Sequence, residues 1–254
     1  IFERYDPEVI FGLHVTNIPN GVLSVKSGPA MAAASAYRIN IKGVQTHGST
    51  PWSGIDPIMA TAELIESLNT IVSRRINIIN NPAVVSVGLV KAGTRNNIIP
   101  EDAQIMGTIR TFDPLLRKQI YEEIEQIAKG VALGTGTEIS VEFDVGGFYP
   151  VTFNEPKLVN AMKGSLMEAS PGRFYESNIP VTGAEDFSYF SQEVPGMYFW
   201  LGINKPGVGL ESANFGERTD VAGNHSPYFY VDDSALDEGV RAFVYLIDDY
   251  PVKF

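Results

Sequence analysis

Apolar and polar positions follow two rhythms along this chain, and the switch between them divides it. Near the start, Val9, Ile10, Phe11 and Leu13 form an almost unbroken apolar run, the pattern of a strand covered on both faces. Between Ser35 and Gly147 strict alternation takes over. Tyr37, Ile39 and Ile41 alternate with Arg38, Asn40 and Lys42, and Ile139, Val141, Phe143 and Val145 alternate with Glu138, Ser140, Glu142 and Asp144. Side chains of a strand point to opposite faces in turn, so these stretches predict the first and last strands of a sheet with one wet face. Two helices are predicted between them. Each opens on Asp-Pro, an oxygen that can cap the first amides followed by a ring preset for the first helical position, at Asp56-Pro57 and Asp113-Pro114. Apolar stripes follow at helical spacing: Ile58, Ala62, Ile65, Leu68 and Val72 in one, Leu116, Ile120, Ile124, Ile127 and Val131 in the other. With strands expected near 83–90 and 103–111, the order is β-α-β-β-α-β, the split βαβ or ferredoxin-like arrangement with helices on one sheet face. Continuous runs return at 197–201, and a last helix carries Leu236, Val240, Phe243, Val244 and Ile247 along one expected core face, with Asp232, Asp233 and Ser234 offering cap oxygens. The predicted organisation is an α/β domain in two parts, 1–34 and 148–254, interrupted by a smaller domain over 35–147. No internal repeat of fixed period is visible.

Composition narrows the function. A chain of 254 residues, 44% apolar, can bury a substantial core. Its net charge of −11 and the lack of a basic stripe argue against nucleic acid as a partner. No apolar stretch approaches the ~20 residues that a membrane span needs, and the first residues have neither the basic start nor the apolar core of a signal peptide. Small-molecule chemistry is therefore expected. The chain has no cysteine, which removes disulfides without choosing a compartment. Ile1 stands where a natural chain has Met, which predicts an N-terminal truncation. The compartment is left open, the cytoplasm being favoured and export not excluded.

Two of the three histidines occupy ligand-like settings far apart in sequence, His14 at the end of an apolar strand and His225 in a Gly-Asn-His-Ser-Pro turn. Strand ends in α/β folds line the ligand crevice, but a catalytic divalent ion takes about three protein ligands, so two histidines alone do not complete a site. Either could instead be a satisfied core or surface histidine. His47 lies on an expected loop tip after the first alternating strand, suited to donate to an oxyanion or simply exposed. Arg110 alternates with Ile105 and Ile109 and so projects from the uncovered sheet face, where a planar guanidinium can grip a carboxylate bidentately. Asn97, in an Asn-Ile-Ile-Pro segment, is weak alone. The segment 182–188 joins an expected strand to a helix; Glu185 and Asp186 read there as metal ligands or, slightly better, as helix caps.

FGLHV, GPAMAA, KGVQTHGSTP, DPIMATAELI, NNIIPEDA, GTIRTFDP, TGAEDFSYF and NHSPYF occur in one order over nearly the whole chain. Each is weak alone, but the ordered set resembles the dinuclear metallopeptidases of the aminoacylase type, in the amidohydrolase branch that holds hippurate, N-acyl-amino-acid and indoleacetyl-amino-acid hydrolases. The resemblance implies an α/β catalytic domain with two divalent metal ions, zinc or manganese, interrupted by a ferredoxin-like lid through which a homodimer forms. It implies His14 and His225 as metal ligands and His47 as the residue that steadies the tetrahedral intermediate in a neighbouring subunit. It gives Asn97 and Arg110 the substrate carboxylate, and Gly183, Ala184 and Glu185 a substrate-contacting loop.

One departure is large. The family's Cys-Gly-His-Asp-x-His and Pro-Ala-Glu-Glu segments, both upstream of FGLHV, do not occur here, and with them go the remaining ligands and the general base. The expectation is the C-terminal portion of a longer metal-dependent amidohydrolase that cleaves the amide of an N-acyl amino acid or peptide-like substrate beside a free carboxylate. A non-catalytic dimerisation or binding module, or a dipeptidase or N-carbamoyl-amino-acid hydrolase of the same family, are the alternatives.

Overall fold

A computed structural model describes residues 2–79, 81–205 and 222–253. In chain order its strands are β1 (Ile10–Thr16), β2 (Leu23–Val25), β3 (Gly28–Met31), β4 (Ala33–Lys42), β5 (Thr46–His47), β6 (Ala83–Ala92), β7 (Ile98–Ile99), β8 (Asp102–Thr111), β9 (Glu138–Tyr149), β10 (Thr152–Asn154), β11 (Phe174–Glu176) and β12 (Gly196–Gly202). The helices are α1 (Phe2–Tyr5), α2 (Pro57–Thr70), α3 (Pro114–Thr135), α4 (Pro156–Ala169), α5 (Phe187–Glu193) and α6 (Leu236–Lys253). The chain folds into two compact units, one of Ile1–Ala32 with Thr152–Phe254, the other of Ala33–Val151. The second unit thus begins and ends a few residues outside the 35–147 read from alternation, because the ladder between β4 and β9 continues through Ala34 opposite Tyr149.

In the 33–151 unit the strands run β4-α2-β6-β8-α3-β9 and lie side by side as β6-β8-β4-β9, every named ladder antiparallel. Both Asp-Pro starts act as the sequence predicts. Asp56 accepts from the Ile58 amide, Asp113 accepts from the amides of Leu115 and Leu116, and Gly136 ends α3 in the left-handed conformation at φ 73°. Tyr37, Ile39 and Ile41 meet Ile105, Ile109 and the helices in one core, into which the α3 stripe Leu116, Ile120, Ile124, Ile127 and Val131 sinks as expected. The α2 stripe needs a correction. Ile58 and Ala62 are exposed, and the buried line is Ala60, Thr61, Leu64, Leu68 and Ile71. Apolar residues populate two adjacent faces of α2, and periodicity alone could not choose; the sheet takes the face whose one polar member, Thr61, donates its hydroxyl to the Pro57 carbonyl.

The other unit holds a sheet in the order β1-β12-β2-β11, with β1 parallel to β12 and β11 parallel to β2. Every residue of β12 is buried, as its unbroken apolar run requires. One face packs under α4 and α6, with Leu23, Val25, Phe199 and Leu201 against Leu158, Met162, Ala242 and Leu246. The other face packs Tyr198 and Trp200 with Phe187 of α5. The last helix departs from expectation: its buried residues include Gly239, Ala242 and Leu246, whereas Leu236, Val240, Val244 and Ile247 are exposed.

Candidate active-site residues in each unit

His14 lies opposite Trp200 in the β1–β12 register, on the sheet face that carries Tyr198 and α5. Two residues earlier stands Gly12, where a Cβ would come within 2.7–2.9 Å of the Phe187 and Tyr198 rings. Only glycine lets α5 sit so close, which explains the Gly in FGLHV. The His14 Nδ1 is 2.6 Å from the Val15 carbonyl oxygen. A carbonyl can only accept, so Nδ1 carries the proton and Nε2 keeps a free lone pair, the arrangement found in metal-ligating histidines.

The same carbonyl accepts a second bond, from Asn224 Nδ2 at 3.0 Å. That contact draws the 223–229 turn, closed by Ser226 N to Gly223 O and Phe229 N to Ser226 O, onto the strand that bears His14. His225 is exposed in this turn at φ 71°, a left-handed conformation that costs a non-glycine residue on the order of 1–2 kcal/mol. His14 and the turn that carries His225, 211 positions away in sequence, thereby bond the same carbonyl. Among the described residues no group of three or more His, Cys, Asp or Glu forms a metal cluster. The donor set therefore fits part of a metal centre: one histidine with its lone pair freed by a backbone bond, and a second on a turn tied to the same carbonyl.

His47 has the opposite polarity. Its Nδ1 accepts from the Ser49 amide at 3.1 Å and lies 2.7 Å from the Ser49 hydroxyl. A backbone amide can only donate, so in the neutral ring the proton sits on Nε2, which points a donor outward from an exposed loop. Asn97 is brought beside it. The β5–β7 ladder sets His47 opposite Ile98, and the Gly48 amide donates to the Asn97 carbonyl at 2.8 Å. Arg110 projects from the sheet face away from the helices, as alternation predicts, with Ile109 buried beneath it. Its guanidinium donates to the Thr108 hydroxyl and to the Ile109 carbonyl, and half-burial pulls its pKa below the ordinary value. Among the described residues it has no carboxylate partner. A concavity of about 960 Å³ on this unit, lined by Asn40, Lys42, Lys91, Gln104 and Glu138, includes none of the candidate residues. Its lining mixes both charges.

Gly183, Ala184 and Glu185 lie in the bend before α5, which the Ala32 amide pins by donating to both the Val181 and Gly183 carbonyls. Glu185 behaves as a cap: its Oε1 accepts from the amides of Asp186 and Phe187, while its Oε2 accepts from the Tyr198 hydroxyl at 2.7 Å. Partial burial pushes the Glu185 pKa up, but bonds from the Asp186 side chain, Tyr198 and the two amides outweigh it and hold it below the usual value. Asp186 moves the other way, raised chiefly by its bond to Glu185. Burial, reinforced by the Glu185 carboxylate, raises the Tyr198 pKa far above the phenol range, so the phenol stays a donor.

Three partners escaped the sequence reading: Asn224, Ser49 and Tyr198. The first two stand one and two positions from a candidate histidine, so proximity was the available signal. Tyr198 sits in an all-apolar strand and gave none.

Residues 1–249 match the model of Peptidase family M20/M25/M40. The chain is 34% identical over 240 residues to thermostable carboxypeptidase 2 of Saccharolobus solfataricus, covering 94% of this chain and 57% of that protein. It is likewise 34% identical over 238 residues to the N-acetylcysteine deacetylase of Bacillus subtilis, covering 93% and 57%. A crystal structure of a dinuclear metal binding peptidase of the M20 family from Bacillus subtilis superimposes with a TM-score of 0.70 at 29% identity, over 96% of this chain and 58% of that one. A putative aminohydrolase from methicillin resistant Staphylococcus aureus shares the fold at a TM-score of 0.81 and 23% identity. The chain spans somewhat more than half the length of the relatives it matches.

Proposed function

The chain belongs to peptidase family M20/M25/M40, and from that premise we propose that it is the greater part of a metal-dependent amidohydrolase that removes the acyl group from an N-acyl amino acid. The observation that carries this reading is the convergence of His14 and the His225 turn on the Val15 carbonyl, which supports the two histidines as nitrogen ligands on one unit. The deacetylase names among its relatives support an N-acyl amino acid as substrate. The carboxypeptidase relatives favour a peptide-like amide as a second reading of the same chemistry.

In this proposal His14 and His225 hold part of a pair of divalent ions, zinc or manganese, with the remaining ligands and the general base supplied from outside these residues. Bound there, the ions would supply Lewis-acid polarisation of the scissile carbonyl and activation of the attacking water. Everything else falls to side chains of the chain itself. Arg110, partly desolvated and without a carboxylate partner among the described residues, takes the substrate carboxylate together with Asn97. His47, with its proton held on Nε2 by Ser49, donates to the oxyanion as the carbonyl becomes tetrahedral. Gly183, Ala184 and Glu185 orient the amide. The β-α-β-β-α-β unit is proposed as a ferredoxin-like lid and as the surface of a homodimer, through which His47 serves a neighbouring subunit's site. Its strand order supports that reading.

The test is hydrolysis of N-acetyl amino acids by the protein expressed with its full natural reading frame, with metal content read by elemental mass spectrometry. Turnover that a chelator abolishes and zinc or manganese restores is expected. In that protein Arg110→Lys raises KM and lowers kcat/KM for carboxylate substrates while leaving metal content intact. Turnover unaffected by the chelator would remove the metal from the proposal, and unchanged kinetics in the variant would remove Arg110.

A further inference from the structure

The chain has two tryptophans, and the fold treats them oppositely. Trp200 is 4% exposed in the core that holds Phe187, whereas Trp52 is 80% exposed. Single apolar side chains are ordinary on a protein surface. An indole left in water is a different matter, because its large flat face gains most from being covered and is suited to a flat partner.

The loop that carries Trp52 is tightly bonded. Val44 and Ile55 close it by two backbone bonds, each amide donating to the other's carbonyl at 2.9 and 3.1 Å. Inside that bridge two turns follow in succession, the Thr50 amide donating to the His47 carbonyl and the Ser53 amide to the Thr50 carbonyl. Pro51 fixes the first position of a single helical turn, Pro51–Ser53, and the Thr46 hydroxyl donates to the Thr50 carbonyl across the loop. Gly54 is required where the chain returns, since a Cβ there would come within 2.5–2.6 Å of the Val44 carbonyl oxygen and the Thr46 side chain. His47 and Trp52 are therefore held on one preorganised loop, and in whichever subunit's site His47 acts, Trp52 accompanies it.

Three groups meet at the scissile carbonyl of an N-acyl amino acid: the oxygen, the amine that leads to the carboxylate, and the acyl substituent. In the proposed function His47 takes the oxygen, and Arg110 with Asn97 takes the carboxylate. The acyl substituent is left without a partner, and it is bonded to the same carbon as the oxygen that His47 meets. Five positions along the same loop stands the exposed indole.

We propose that Trp52 is the acyl-selecting residue of this protein: its indole packs on the acyl substituent, and the preferred acyl group is flat and aromatic rather than acetyl. This role rests on the amidohydrolase reading of the same site and adds to it the class of acyl group. A methyl is too small to cover an indole, whereas an aryl ring meets it over a wide face. Apolar contacts of this kind discriminate between substrates by about ten- to two-hundredfold.

The experiment measures kcat/KM for the N-benzoyl and N-acetyl derivatives of one panel of amino acids, with the protein in its full natural reading frame and its Trp52→Ala and Trp52→Phe variants. The unmodified protein is expected to favour benzoyl by about tenfold or more. Trp52→Ala lowers the benzoyl-to-acetyl ratio by about tenfold or more, and Trp52→Phe, which keeps an aromatic face, by about threefold or less. An unmodified protein that favours acetyl or does not discriminate overturns the proposal, as does a ratio that Trp52→Ala leaves in place. Equal losses on both substrates also overturn it, because they make Trp52 a support of the His47 loop and not a contact of the acyl group. A variant that changes the oligomeric state in sedimentation velocity assigns Trp52 to a contact between copies of the chain and overturns it as well. Each of these failures leaves amide hydrolysis standing; an absence of metal-dependent turnover on either substrate removes the proposed function itself, and the role of Trp52 falls with it.

Discussion

The two units of this chain treat their apolar stripes differently. In the 33–151 unit each sheet-facing line of α2 and α3 is buried, with Ile105, Ile120 and Ile124 fully enclosed. In the other unit the α6 stripe stays out while the residues beside it go in. Burial is driven by available partners as much as by periodicity, so an amphipathic stripe names a face of a helix without naming the neighbour that covers it. The same contrast runs through the histidines. The unit of 1–32 with 152–254 holds His14 with its proton turned inward to a carbonyl, and the 33–151 unit holds His47 with its proton on the nitrogen away from Ser49. One ring keeps a lone pair on Nε2 and the other a proton there.

The largest effect expected from breaking this comparison is on stability. Ile120→Ala opens a cavity in the closed core and costs about 2–5 kcal/mol, read as a shift of the denaturant midpoint. Val240→Ala in the 254-residue chain stays within about 0.5 kcal/mol, because that residue is 65% exposed. A comparable loss for both would mean that the α6 stripe is buried in solution.

His47→Ala sharpens the contrast between the histidines. In the protein with its full reading frame it lowers kcat about 10²- to 10³-fold, the usual loss of one oxyanion donor, with metal content unchanged. Ser49→Ala keeps the amide that fixes the tautomer and costs about tenfold or less, since one hydrogen bond contributes about 1 kcal/mol.

Asn224→Ala acts on the other two histidines, His14 and His225. In the proposed metal site, releasing the turn from the Val15 carbonyl weakens affinity for the divalent ion by about 10- to 100-fold, the range for partners that orient metal ligands, and leaves the 33–151 unit's unfolding untouched. Competition with a chromophoric chelator measures it.

The smallest effect is on pH dependence. Glu185 has a lowered pKa in the folded protein, so its contribution to stability is present above the unfolded carboxylate value and is lost as pH falls through the folded value. Tyr198→Phe removes a donor that helps to hold it down. The Glu185 pKa then rises, and the acid limb of stability moves to higher pH by a fraction of a unit, visible as a shifted carboxylate titration by NMR. An unmoved titration would show that the Asp186 side chain and the amides of Asp186 and Phe187 set it without Tyr198.

Much of the fold was legible in the sequence, for a local reason. Alternation over 37–42 and 139–143, the Asp-Pro caps and the α3 stripe depend only on strand and helix periods and on capping oxygens a few residues away, so the layout of the 33–151 unit followed from the chain alone. The placement of Arg110 on the open face followed from the same alternation. Even the candidate histidines could be named from their settings. Which of two neighbouring faces α2 buries, that Glu185 joins its capping bonds to one from Tyr198, and which nitrogen of His14 and of His47 holds the proton were decided only by the folded contacts, with the sheet, Tyr198, the Val15 carbonyl and the Ser49 amide. The fate of α6 belongs with them. Sequence periodicity determines that Leu236, Val240, Val244 and Ile247 form a face; only the fold determines whether a neighbour is there to cover it, because burial needs a second surface and a single helix cannot supply its own.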